Sequence, residues 1–185
     1  MANLDNPNGF TPVRHLTGGI IRTEEMPIAS EEADAIFSGD VVMAVAGGTI
    51  KVGTATAGLA ATGIFAGCFF TAVDGKPTFS KHWPAGQVAT DAIAYVYADP
   101  MIVFSAQTTG DGVLTDNGAL LDLTATVGST TTGRSKQEIN EAASTVDQFR
   151  QLGLVKRADN AYGANAEMEV VFYEHVRNPG AGAAI

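Results

Sequence analysis

Residues 64–107 read IFAGCFFTAVDGKPTFSKHWPAGQVATDAIAYVYADPMIVFSAQ, and this stretch decides the fold. Its large side chains, Phe65, Phe69, Phe70, Phe79, Trp83, Tyr95 and Phe104, fall in short apolar runs broken by turn residues, which is the pattern of antiparallel β-structure. Asp74-Gly75 lies between two such runs. An Asp-Gly pair supplies the two positive-φ positions of a type I′ hairpin turn, so the chain is expected to fold back there. Trp83-Pro84-Ala85-Gly86 ends the unit, because proline removes a ladder donor and pushes its predecessor out of the helical region. Ile93 to Tyr97 alternates large and small residues. Met101 to Phe104 is apolar on both faces and reads as a buried strand.

Working outward, the upstream chain carries the same grammar. Ser38-Gly39-Asp40 turns into Val41–Val45, and Gly47-Gly48 turns again into Thr49–Val52, a second hairpin. Residues 55–61 read as loop or edge strand. Ser30 to Phe37 suits a short helical turn, with Ser30 as N-cap and Glu31, Glu32 and Asp34 at the positive end of its dipole. The first nineteen residues hold Pro7, Gly9, Pro12, Gly18 and Gly19, and no periodicity survives them. They read as an extended arm with apolar anchors at Phe10, Val13 and Leu16; a disordered tail and an arm ordering on a partner both fit.

Downstream, residues 119–127 and 146–155 read as strand-bearing segments, and 168–175 alternates Met168, Val170 and Phe172 against Val171 and Tyr173. Ser135 to Asn140 reads as a helical turn or ordered loop, with a capping box between Ser135 and Glu138. Residues 178–185 read as a loose tail. The expected fold is therefore mainly β with little helix. It divides into an N-terminal arm and lead-in (1–38), one antiparallel β-domain (39–177) and a C-terminal tail (178–185).

Composition narrows function. The 185 residues carry a net charge of −9 with eleven scattered basic residues, which disfavours nucleic acid and an anionic membrane surface as partners. No charge occurs from Val52 to Val73, yet its glycines and threonines leave that window too polar for a spanning helix. No apolar leader follows the first residues, so the protein is expected to remain in the cell or particle where it is made. The one cysteine, Cys68, sits in an apolar run without basic neighbours and reads as an inert buried thiol.

Chemical motifs are weak. Gly128-Ser129-Thr130-Thr131-Thr132-Gly133-Arg134-Ser135 has the spacing of a phosphate-binding loop, with arginine in place of lysine and without the surrounding βαβ array. Asp111 and Asp116 lack the ligand alternation of a calcium loop. His15, His82 and His175 are far apart, a Cys/His zinc site is ruled out by count, and no G-x-S-x-G elbow occurs. The pairs Glu24-Glu25 and Glu31-Glu32 read as solvated faces. No catalytic residue, metal or cofactor is expected.

A family resemblance covers almost the whole chain. Met1-Ala2-Asn3 followed by Pro7-x-Gly9-Phe10-x-Pro12-Val13-Arg14-His15, then Phe65-Ala66-Gly67, Asp74-Gly75-Lys76-Pro77-x-Phe79-Ser80, Trp83-Pro84-Ala85-Gly86 and Asp99-Pro100-x-x-Val103-Phe104, resembles tailed-bacteriophage capsid decoration, or cement, proteins. Gly153-Leu154-Val155-Lys156-Arg157-x-Asp159-Asn160-x-x-Gly163, leading to Glu174-His175, is similar as well. The resemblance implies a single antiparallel β-barrel, jelly-roll-like or β-tulip-like, on the outer surface of an icosahedral head. It implies synthesis in the bacterial cytoplasm, bridging of major capsid subunits, and self-association as a homotrimer or homodimer. Phe10, Pro12, Val13, Arg14 and His15 are the residues expected to meet the shell. A second expectation is a carbohydrate- or receptor-binding module of the virion surface, stacking its ligand on Trp83 and Tyr97; a hydrolase on a β-barrel, the third, would need a cleft with perturbed carboxylates or histidines.

Overall fold

A computed structural model of the chain describes residues 3–56, 60–141 and 147–178. The strands are β1 (Thr11–His15), β2 (Glu24–Pro27), β3 (Ile36–Phe37), β4 (Val41–Ala44), β5 (Ile50–Val52), β6 (Gly63–Thr71), β7 (Pro77–Ser80) and β8 (His82–Trp83). They continue with β9 (Ile93–Tyr97), β10 (Ile102–Gln107), β11 (Asp111–Gly112), β12 (Leu120–Thr124), β13 (Glu138–Asn140), β14 (Phe149–Leu154), β15 (Gly163–Ala164) and β16 (Glu167–Phe172). Among the described residues the only helical element is one 3-10 turn at Leu114–Asp116. The mainly β, antiparallel expectation holds.

Two large sheets carry the fold. One runs β1-β10-β16-β14-β12-β13; the other runs β2-β9-β6-β4-β5, with β7 extending beside β6. Small pairs, β3 with β8 and β11 with β15, close the margins. Alternation along each strand sorts side chains between two cores. Phe104, Phe149, Met168, Val170 and Phe172 of the first sheet meet Val41 and Ile64 of the second in one cluster. Their immediate neighbours Val42 and Phe65 face the other way and join Cys68, Phe70, Val96, Ile36 and Trp83 in the second. The second sheet is thus covered on both faces, which is why its strands read as continuous apolar runs.

A bulge at Ala66 keeps this sorting in phase. The register of β6 against β9 slips between Phe65 and Gly67, so Phe65 and Cys68, three positions apart, enter the same core. Burial of Cys68 pushes its thiol pKa up to about 12, and the inert reading stands.

Several expectations need correction. Neither sheet closes into a barrel. The second one rolls until Ile28, just past β2, makes a single parallel bridge with Ile50 of β5; Pro27 lacks an amide donor there, and no further rungs follow. The Asp74-Gly75 hairpin forms, but as a three-residue loop. Gly75 alone has positive φ, at +80°, and its N–H donates to the Ala72 carbonyl at 2.8 Å while the Ala72 N–H donates to the Lys76 carbonyl at 2.9 Å. That is a type I turn closed by a left-handed glycine, not a type I′ turn. Residues 30–37 form no helical turn: Glu31 takes a φ of +62°, and the segment ends as strand β3 because Ile36 pairs with Trp83. Residues 135–137 are loop and 138–140 are strand β13, since Ser135 Oγ accepts the Gln137 N–H instead of capping a helix.

Within the apolar stretch, burial is uneven. Trp83, Phe65 and Phe104 are fully buried, whereas Phe79 is 70% exposed, its ring 5.6 Å from Tyr95. The expected tail lies almost wholly outside the described residues, as do Ala57–Leu59 within the loop reading of 55–61 and Val146 at the head of its segment.

Candidate functional site

The five residues expected to meet a shell lie on or beside β1, the terminal strand of the first sheet. Two of them face inward. Phe10 is buried, stacked on Phe149 with centroids 4.6 Å apart and planes at 16°, and its N–H donates to the Gly39 carbonyl at 2.9 Å. The chain reaches that position through Gly9 at φ +68°, where a Cβ would lie 2.4 Å from Ser135 Cβ and 2.6 Å from the Gly39 oxygen. Only glycine fits.

His15 is the second inward residue, its side chain 8% exposed. Its Nδ1 accepts backbone N–H groups from Thr17 at 3.2 Å and Gly19 at 3.1 Å, so the proton sits on Nε2 and is donated to Asp99 Oδ2 at 3.1 Å. The Asp99 carboxyl is held below the ordinary aspartate range by the Met101 N–H first, with the His15 hydrogen bond adding to it. Thr17 Oγ1 lies 3.1 Å from His15 Nδ1, and the trio Thr17, His15, Asp99 has the outline of a nucleophile, base and carboxylate. Two backbone donors already occupy that nitrogen, and neither cleft described below is lined by these residues. The trio is a clamp on the turn after β1.

The remaining three present outward. Pro12 opposes Phe104 and leaves one amide donor out of the edge; the register slips at Val13, a bulge that twists the strand. Val13 is 44% exposed, and Arg14 reaches across to Glu169 at 2.7 Å. That ion pair is half-exposed and contributes at most about 1 kcal/mol. Leu16 and Met101, joined by the Leu16 N–H to Met101 carbonyl bond at 2.9 Å, extend the exposed apolar rim with Val13. The expectation of a buried strand over Met101–Phe104 is corrected at its first residue: β10 begins at Ile102, and Met101, still in the turn after Asp99-Pro100, is 42% exposed.

Two clefts adjoin the strand. The larger, about 670 Å³, lies between residues 3–9, the end of β10 and the 157–167 hairpin. The smaller, about 250 Å³, lies between β1 and the second sheet over Phe65, Ala66 and Tyr97; Arg134 lines both. The segment from Gly128 to Ser135 is no phosphate cradle. It is a closed turn in which the Gly133 N–H donates to the Ser129 carbonyl and the Ser129 N–H to the Arg134 carbonyl, both at 2.8 Å, and the next described element is strand β13, not a helix.

The other histidines are separate. His82 stacks on Phe37 at 5.5 Å, and His175 is fully buried. Among the described residues no group of three His, Cys, Asp or Glu side chains is placed to hold a metal ion. Trp83 is fully buried and Tyr97 half-buried against Phe104, so neither offers the stacking face expected of it.

Two buried titratable groups oppose one another in pH dependence. His175 donates Nε2–H to the Thr62 carbonyl at 3.0 Å and accepts the Arg177 N–H at Nδ1, and burial drives its pKa down to about 4. A depressed histidine stabilises the fold above its unfolded pKa near 6.5 and loses that contribution as pH falls toward 4, about 3 kcal/mol in all. Asp40 accepts the Phe37 N–H at 2.7 Å through Oδ2, its Oδ1 is buried without a partner among the described residues, and burial drives its pKa up to about 6. A raised carboxyl stabilises below its unfolded pKa of 3.8 and loses that contribution as pH rises through 6, again about 3 kcal/mol. The two slopes cancel between pH 4 and 6. Asp40→Asn is expected to raise the melting temperature at pH 7 and to expose an uncompensated acid loss from His175 between pH 6.5 and 4, read by calorimetry across pH. A variant less stable than wild type at pH 7, with the wild-type profile, contradicts this.

Comparison with family models, with curated proteins and with solved structures finds no match to this chain.

Proposed function

We propose that the protein is a structural component of a phage virion that binds the outer surface of an icosahedral head and bridges major capsid subunits. The observation that carries the reading is the rim of β1. Pro12 and the bulge at Val13 guard this edge against strand addition, while the exposed apolar side chains Val13, Leu16 and Met101 beside it offer a partner a side-chain contact. The net charge of −9 supports an exterior position away from packaged DNA. The mainly β, antiparallel body, with its six-stranded second sheet, supports the reading at the level of fold class. Self-association, as a trimer in preference to a dimer, multiplies weak contacts over a symmetric lattice. Stabilisation follows by mass action, since a ligand that binds only the expanded shell opposes its disassembly.

The outward residues of β1 separate contact from folding. Val13→Glu with Leu16→Glu is expected to weaken binding to expanded shells at least tenfold, because two buried apolar contacts become unpaired charges, while the melting temperature of the free protein stays within about 2 °C. Unchanged shell affinity in this double variant would remove β1 from the interface.

A further inference from the structure

The 670 Å³ cleft is held open by amide bonds made within the chain. Asn3 donates to the carbonyls of Ala161 and Ala164 at 2.8 and 2.9 Å, and Gln107 donates to those of Leu4 and Asn165 at 2.8 and 3.0 Å. Asn160 closes the hairpin wall by bonding Val155 and Glu167. These bonds tie residues 3–6 to the 160–167 hairpin, so the cleft is preformed and needs no ordering on binding.

Against that satisfied frame, a second set of polar side chains lines the same cleft without use. Asn6, Thr11, Asn165 and Ser105 make no side-chain hydrogen bond among the described residues, and neither does the guanidinium of Arg134. Ser105 is the telling member. The residue is 6% exposed, and its hydroxyl makes no hydrogen bond among the described residues; the oxygen is not sealed from solvent and opens on the cleft, where it can both donate and accept.

We propose that this cleft is a binding site for an acidic saccharide, with the sugar carboxylate on Arg134 and ring hydroxyls on Ser105, Thr11, Asn6 and Asn165. Hydroxyl and amide side chains both donate and accept, and so do sugar hydroxyls, which is the match a row of such groups provides. A bound peptide would call for apolar side-chain pockets, and the lining offers only Leu4 and Ala106. The charge follows from the two arginines. Arg157 is already held by Asp159 and Glu167, whereas Arg134 makes no ion pair among the described residues and presents a fork suited to a carboxylate. This site is distinct from the exposed rim of β1 and does not depend on attachment to a shell.

The test is titration of the isolated, isotope-labelled protein with a galacturonate tetramer, followed by amide chemical shifts, with maltotetraose and a tetraglutamate peptide as comparisons. Saturable binding of the galacturonate oligomer is expected, with shifts centred on residues 6, 11, 105, 134 and 165 and an affinity that falls as salt is added. Arg134→Gln, at an exposed position, is expected to weaken it at least tenfold and leave any maltotetraose binding unaltered; Ser105→Ala is expected to weaken both. Absence of saturable binding at about 10 mM ligand overturns the proposal, as does an Arg134→Gln variant that binds like wild type. Tighter binding of tetraglutamate at the same residues overturns it in favour of an acidic peptide.

Discussion

Trp83→Ala is expected to lower the stability of the protein by about 3–5 kcal/mol, the range for removing a fully buried large aromatic. Trp83 is 0% exposed, its ring meets Phe70 edge-on at 5.1 Å and 78°, and its strand neighbour Ile36 enters the same core. Its removal opens the second cluster where β8, β3 and β6 converge. The indole N–H is buried with no partner among the described residues, and this sets the contrast. Trp83→Phe keeps most of the ring and discards an unsatisfied donor, so the cavity cost and the lost desolvation penalty offset and the net change stays below about 2 kcal/mol. Urea unfolding followed by far-ultraviolet circular dichroism measures both, since the variants lack the chain's one tryptophan. Equal losses for alanine and phenylalanine contradict the account of the N–H; an alanine loss under about 1 kcal/mol contradicts the account of the core.

Phe10→Ala is expected to cost a similar 3–5 kcal/mol, now from the first cluster. The ring is 2% exposed and continues a stack through Phe149 to Phe172, whose centroids are 5.1 Å apart. It is also what holds the start of β1 on the body, so the loss should be accompanied by faster hydrogen exchange at the amides of residues 14–16. Here Trp83 fluorescence reports the second core while circular dichroism reports both sheets. Coincident transitions indicate that Val41/Val42 and Ile64/Phe65 couple the two clusters through the shared sheet. A loss below about 1 kcal/mol with β1 amides still protected would show that Phe10 is not its anchor.

The strands were legible where periodicity is strong and local. Ile93–Tyr97 and Val41–Val42 with Ile50–Val52 lie where alternation and turn residues place them, because both signals are set within a few residues. What local signals do not carry is which rows face a second layer. Phe69, Phe70 and Phe79 look alike in sequence, yet only Phe70 is buried, since the bulge at Ala66 resets the phase and β7 ends as an edge. The helical reading of residues 30–37 failed for a related reason. Ile36 and Phe37 are drawn into pairing with β8 by a partner 47 residues away, against a local capping signal.

The site was legible in part. An apolar anchor, a proline and a basic pair mark β1 as special, but Phe10 and His15 turn inward through contacts with Phe149 and Asp99 that no spacing foretells. The Arg134 cleft was hidden further. Its members come from residues 6, 11, 105, 134 and 165, brought together only by the edge-strand position of β1 and the amide bonds of Asn3 and Gln107. The loop around Arg134 drew notice for a phosphate-loop spacing that the structure does not use.

The measurement that bears most directly on the proposed function is co-sedimentation of the purified protein with expanded heads of the same phage that lack it, reading copies bound per major capsid subunit at saturation. The account predicts a saturable whole-lattice stoichiometry and a raised melting temperature of the shell. Failure to bind intact expanded shells would contradict it.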